Sequence, residues 1–186
     1  MNRYIIFNKP YGVLSQFTPE DGSRSLAEFK LPAGVYAAGR LDKDSEGLLL
    51  LTNDGPMIEY LLNPKSEKPK TYWVLVERVP TEEELAQMRK GLKIEDYLTK
   101  PCSVEILDPQ PDVAPRDPPV RLRKTVRDVW LEITIIEGKN RQVRKMTAAI
   151  GHPTLRLIRK KIGALELDDL PPGEWKEITK EKINLK

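Results

Sequence analysis

The chain has 186 residues, of which 39% are hydrophobic and 32% charged, with a formal net charge of +3. That length suits one domain or two small packed halves of a soluble globular protein. A single cysteine excludes an internal disulfide framework, and a single histidine leaves no Cys/His metal site. No apolar run has the length of a signal peptide or a membrane span, so we expect a cytoplasmic protein.

The first third of the chain is predicted to mix short strands with tight turns. Residues 4–7 form an opening strand, and residues 25–28 have capping-box spacing, which predicts a short helix. The continuous apolar run 48–52 predicts a buried strand. After a turn through Asn53 and Asp54, a helix is expected over residues 57–62.

The middle of the chain carries stronger signals. Aromatic and β-branched residues predict a strand over 71–77. Residues 81–84 form a second capping box, whose helix should end at Gly91. Residues 92–107 should hold one or two strands, and the five prolines in 108–119 indicate an exposed loop.

The last third is predicted to contain a strand over 128–136 and a helix over 140–150 that ends at Gly151. Three short strands should follow, over 155–157, 164–167 and 175–178. Strands and short helices without a regular βαβ alternation favour an α+β fold with a mixed, largely antiparallel sheet. We expect one domain over 1–186, built of two packed halves of about 1–65 and 66–186 with a cleft between them.

The charge is distributed unevenly. Residues 121–160 contain eleven lysines or arginines and three acids, a local net charge of +8, so the remainder of the chain is net negative. Such asymmetry favours a polyanionic partner, for which nucleic acid is the first candidate. A solvated basic face is the plainer explanation for a charge run considered alone.

A turn at residues 39–47 crowds Asp42, Asp44 and Glu46 between two glycines, directly before the apolar run. These carboxylates could cap the turn, bind calcium or perform chemistry. Their alternating spacing matches the first half of an EF-hand loop, but the twelfth position is Asn53 where a bidentate Glu is needed. The sequence therefore disfavours calcium and leaves the cap and the catalytic turn open.

Two further segments carry residues that could contact a nucleic acid. Arg141 and Arg144 are three residues apart at a predicted helix start, where one could pair with a carboxylate and the other with phosphate. A basic helix on the surface is the alternative, and periodicity does not separate the two. In the segment from Lys68 to Val74, aromatic residues adjoin lysines, which suits base stacking with phosphate contact. Neighbouring strand residues point to opposite faces, so at most one of Tyr72 and Trp73 can face a given cleft.

Taken in order, these stretches resemble the RsuA-type ribosomal RNA pseudouridine synthases. The matching stretches cover nearly the whole chain: 9–15, 39–55, 70–72, 138–146 and 155–163. Within that family, residues 116–121 and 138–146 resemble most the large-subunit (23S) subgroup designated E. Many relatives carry an N-terminal S4 domain, for which the early position of Lys9-Pro10-Tyr11-Gly12 leaves no room.

The resemblance implies isomerisation of a uridine in ribosomal RNA, without a cofactor or metal, by a monomeric enzyme. It assigns the catalytic carboxylate to Asp42, the tyrosine that stacks on the base to Tyr72, and the carboxylate's basic partner to Arg144. Leu157 matches the aliphatic side chain beneath the base. The same blocks supply the remaining candidate RNA-binding residues: Arg40, Lys70, Lys139 and Arg141. The main alternative is a non-catalytic RNA-binding or ribosome-assembly protein.

Overall fold

A computed structural model describes residues 1–121 and 125–183. Residues 122–124, part of the basic segment, lie outside the described residues. Contacts divide the chain into two compact units: unit 1 is Met1–Lys68 with Ile158–Lys186, and unit 2 is Pro69–Leu157. The C-terminal segment thus groups with the N-terminal residues rather than with the residues just before it. Within the described part, none of the helices has the length and apolar character needed to cross a membrane.

The described residues form strands and three α-helices, α1 Gly55–Leu62, α2 Glu82–Lys90 and α3 Gln142–Ala149. The strands in chain order are β1 Tyr4–Lys9, β2 Tyr36–Ala37, β3 Glu46–Thr52, β4 Lys70–Val76, β5 Lys93–Ile94, β6 Tyr97–Leu98, β7 Ser103–Ile106, β8 Val129–Ile135, β9 Thr154–Ile162, β10 Leu165–Glu166 and β11 Trp175–Ile178. Short 3₁₀ turns occupy Leu26–Glu28, Pro64–Ser66 and Lys180–Ile183.

Unit 1 is organised around β3, every residue of which is buried. Strand β1 pairs with β3 antiparallel from Tyr4 opposite Thr52 to Lys9 opposite Gly47, and β11 pairs with the other edge of β1. Strand β2 also pairs with β3 antiparallel, whereas β9 pairs with it parallel at Gly47 and Arg159. The predicted α+β fold with a mixed, largely antiparallel sheet is therefore confirmed.

Unit 2 contains the antiparallel strands β7, β8 and β4. Its core joins strand residues such as Val74 and Leu131 to Met88 of α2 and Met146 of α3. The capping box predicted at Thr81 is formed in both directions, with Glu84 as its acidic member. Helices α2 and α3 each bury an apolar stripe against the strands, so unit 2 has a core of its own.

Several predicted elements differ in extent from the observed ones. Residues 92–107 hold three short strands instead of one or two, and β9 is nine residues long where a three-residue strand was expected. The helix predicted at 25–28 is a single 3₁₀ turn. Strand β2 was not predicted, because two residues carry no periodicity.

Candidate active site

The carboxylate-rich turn of residues 39–47 lies in unit 1 and is held by hydrogen bonds to the loop after β1. The Ser15 hydroxyl donates to the Leu41 carbonyl oxygen at 2.8 Å and accepts from the Leu41 amide at 3.0 Å. The Gly12 amide donates to the Lys43 carbonyl oxygen at 2.8 Å. The backbone is thus anchored on both sides of Asp42, whose side chain is half-buried.

The turn closes on itself before it enters the sheet. The Ser45 amide donates to the Asp42 carbonyl oxygen at 3.0 Å. Gly47, the second residue of β3, has φ +101°, a conformation that favours glycine. A Cβ there would clash with the carbonyl oxygen of Arg159 and lie 2.7 Å from its backbone nitrogen. The close parallel contact with β9 therefore requires a glycine at this position.

Beneath the turn lies Lys9, which is fully buried. Its ammonium nitrogen donates to the carbonyl oxygens of Pro10 at 3.0 Å and Val13 at 2.7 Å, and reaches that of Lys43 at 3.5 Å. Burial lowers the pKa of Lys9 to about 7, against the opposing pull of the carboxylates at 46, 44 and 42. Lys9 therefore links the β1 loop to the turn and lies in the field of all three acids.

Of the three acids, Glu46 alone is buried. Glu46 is 5% exposed as the first residue of β3, opposite Ile158, whereas Asp44 is half-buried in the turn. Arg40 is exposed, and its guanidinium approaches the Gln16 side-chain oxygen at 3.4 Å. Within residues 1–121 and 125–183, no three Asp, Glu, His or Cys side chains are grouped so as to hold a metal ion.

The predicted stacking residue Tyr72 lies in β4 of unit 2, opposite Ile133 of β8. It is 8% exposed and belongs to the core of that unit, whereas its neighbour Trp73 is half-buried and donates to the Glu132 carboxylate at 3.0 Å. Lys70, at the start of β4, reaches the Glu137 carbonyl oxygen at 3.4 Å. The two aromatic side chains therefore have different environments, as the strand alternation predicts.

The basic block of residues 138–146 enters α3. Arg141 is exposed and precedes the helix with φ +51°. The prediction that it lies within the helix is therefore wrong. Arg144 lies in the first turn and is half-buried, between Val143 and Met146 of the helix, which are buried in the core. The Lys139 ammonium lies 5.4 Å from the centre of the Tyr97 ring.

A buried hydrogen-bond network fixes the start of α3. Gln142 is 3% exposed, accepts from the Lys139 amide at 3.1 Å and donates to the Glu137 carboxylate at 2.7 Å. The same carboxylate accepts from the Lys100 amide at 2.8 Å. These contacts fix the backbone at the start of α3, and so they position Arg141 and Arg144.

Leu157, the predicted aliphatic residue, lies in β9 and is 6% exposed in the core of unit 2. The next residues of the same strand belong to unit 1, where the Arg159 guanidinium donates to the Leu48 carbonyl oxygen at 2.8 Å. Its predicted place beneath the target base stays a prediction.

The predicted site residues divide between the two units. Asp42 and Arg40 belong to unit 1, while Tyr72 and Arg144 belong to unit 2. Leu157, Lys70, Lys139 and Arg141 also belong to unit 2. No role was assigned to Lys9 from the sequence, although it begins the Lys9-Pro10-Tyr11-Gly12 motif. The available signal was a lysine at the end of an otherwise largely apolar strand.

Comparisons with known proteins show the family of this chain. The sequence profile described as RNA pseudouridylate synthase matches residues 3–149. The chain belongs to the RNA pseudouridylate synthase family. It is 57% identical over 177 residues to a Vibrio vulnificus protein named ribosomal large subunit pseudouridine synthase E, covering 95% of this chain and 75% of that one. A Xanthomonas axonopodis pv. citri protein of the same name is 58% identical over 170 residues, or 90% of each chain.

The fold comparison agrees. A solved structure titled as a crystal structure of pseudouridylate synthase superposes with a TM-score of 0.80 and 32% identity, covering 98% of this chain and 73% of that one. The predicted resemblance and subgroup are therefore confirmed, and the chain is an enzyme of this family. The alternative of a non-catalytic RNA-binding protein is set aside.

Proposed function

We propose that this enzyme converts one uridine of 23S ribosomal RNA to pseudouridine, and that Asp42 is its catalytic carboxylate. The proposed substrate is supported by the 56–58% identity to large-subunit enzymes over 90–95% of the chain. We extend the proposal to a monomer of one catalytic domain, acting in the cytoplasm where ribosomal RNA is modified.

The reaction breaks the N1–C1′ glycosidic bond, turns the uracil within the site and joins C5 to C1′, after which C5 releases its proton and N1 takes one up. No group leaves the RNA. A carboxylate is needed at the ribose or the base, by attack at C1′, by attack at C6, or by assisting a glycal route. The anchored backbone on both sides of Asp42 supports this assignment, because it would hold the carboxylate in one position without reorganisation.

The remaining roles follow the family pattern. We propose that Tyr72 stacks on the target base, offsetting part of the few kcal/mol needed to extrude a nucleotide. We assign Arg144 to the carboxylate, where a guanidinium would stabilise the ionised form. Leu157 would pack beneath the base.

Four basic residues would bind the RNA backbone as salt-sensitive contacts: Arg40, Lys70, Lys139 and Arg141.

The test is direct. The purified enzyme is incubated with unmodified 23S rRNA, and pseudouridines are located by carbodiimide treatment and primer extension. Wild type should produce one new stop, and Asp42→Asn should produce none while keeping the wild-type unfolding curve and RNA affinity. Turnover by Asp42→Asn near the wild-type rate would refute the assignment of Asp42, and a wild type inactive on 23S rRNA would refute the substrate.

A further inference from the structure

A groove in unit 1 has no role in the reaction described above. Its volume is about 350 Å³, at the small end of the ~300–1,000 Å³ typical of ligand sites, which suits one nucleoside rather than a long segment. The floor is formed by Leu26 and Val35, which are buried in the core of unit 1. Phe17 and Leu31 form further apolar lining.

The open side of the groove carries an aromatic ring and a cation. Tyr36 is 64% exposed, the highest exposure of any described tyrosine, and Lys30 is exposed as well. The groove is lined by ten described residues, of which Lys30 alone is charged, so no acid among them would repel a phosphate. An apolar floor, an exposed ring and one cation together match the chemistry of a nucleotide.

Short contacts join this groove to the Asp42 turn. The Arg40 guanidinium approaches the Gln16 side-chain oxygen at 3.4 Å, and Gln16 is followed directly by Phe17 of the groove. The Gln16 carbonyl oxygen accepts from the Leu26 amide at 2.9 Å. The preceding residue, Ser15, makes both hydrogen bonds to Leu41 described above. One continuous segment therefore forms part of the groove and anchors the turn.

We propose that this groove binds a second nucleotide of the substrate RNA, outside the position of the target uridine. The base stacks on Tyr36 over the apolar floor, and its phosphate meets Lys30. This inference rests on the proposed function for the identity of the RNA. A ring already held on a β-strand at the surface loses little freedom on stacking, which favours Tyr36 as the contact.

Steady-state kinetics on a protein-free 23S rRNA fragment test the proposal. Tyr36→Ala should raise KM about 5- to 150-fold and leave kcat within about twofold, because the stacking contact lies away from the reacting atoms. Tyr36→Phe keeps the ring and should behave as wild type. The matched control is Tyr60→Ala, at a tyrosine of α1 that is 48% exposed; its KM should not change.

Two further measurements identify the ligand. Lys30→Ala should reduce the slope of log affinity against log salt concentration by about 0.7, the value of one single-strand phosphate contact. A 2-aminopurine placed in turn at nucleotides flanking the target should lose fluorescence on binding wild type at one position, and keep it with Tyr36→Ala.

Equal KM values for Tyr36→Ala and Tyr60→Ala would overturn the proposal. So would a Tyr36→Ala defect seen only on ribosomal particles, which would assign the groove to a protein partner. Wild type and Asp42→Asn are assayed alongside. An inactive wild type refutes the proposed function, whereas an active wild type with an unaffected Tyr36→Ala refutes the groove alone.

Discussion

Replacing Gly47 by alanine should destabilise the protein sharply, because this glycine brings β3 and β9 into close contact below the Asp42 turn. Two costs combine at this residue. A side chain at φ +101° is strained by about 1–3 kcal/mol. The added Cβ also meets backbone atoms of Arg159, which cannot rotate away as a side chain could, and such overpacking costs about 1–3 kcal/mol. We expect a total loss of about 2–6 kcal/mol in the free energy of unfolding.

Urea denaturation followed by circular dichroism measures this loss. With a slope of roughly 2 kcal/mol per molar urea, the midpoint should fall by about 1–3 M. The matched control is Gly55→Ala, at the first residue of α1, where nothing lies within 4 Å of the added Cβ. Because alanine is the better helix former, Gly55→Ala should leave the midpoint unchanged or raise it. A Gly47→Ala midpoint equal to that of Gly55→Ala would refute the reasoning.

Three other predictions concern single residues. The pKa of Lys9 is about 7 in the folded protein and near 10.5 in the unfolded chain, so between these pH values the unfolded chain binds the extra proton. The free energy of unfolding should therefore rise with pH in this range, by at most about 1.4 kcal/mol per pH unit. Lys9→Met should lack this rise in urea titrations at pH 7 to 10. Arg144→Ala should abolish pseudouridine formation while weakening RNA binding modestly; unchanged turnover would exclude an essential role. Burial raises the pKa of Cys102 to about 11, so its alkylation by iodoacetamide at pH 8 should be about 100-fold slower in the folded protein than in urea, and equal rates would contradict its burial.

Local signals were sufficient for much of the fold. The run at residues 48–52 lies in β3, and the capping box at Thr81 and the glycine at 91 bound α2 as expected. These features succeed because apolar runs and caps act over a few neighbouring residues. The family, the enzyme class and the largely antiparallel sheet also followed from the sequence.

Contacts between distant segments were beyond such reasoning. The parallel pairing of Gly47 with Arg159 joins residues far apart in sequence, and it adds a backbone clash to the positive φ as a reason for glycine there. Lys9 was assigned no role from the sequence, yet it is fully buried, and three backbone carbonyls converge on its ammonium group. Burial of a charge depends on which acceptors the fold assembles around it.

The sequence by itself therefore determined the family, because its motifs resemble those of known enzymes, and that resemblance implied the kind of reaction and the residues proposed to perform it. The tertiary structure decided how the Asp42 turn is held, through Ser15, Gly12 and the buried Lys9. It also assembled the groove beside Tyr36 from a loop, a 3₁₀ turn and an edge strand. Both features arise from packing between segments with no local sequence signal, because the chain must fold before their contacts exist.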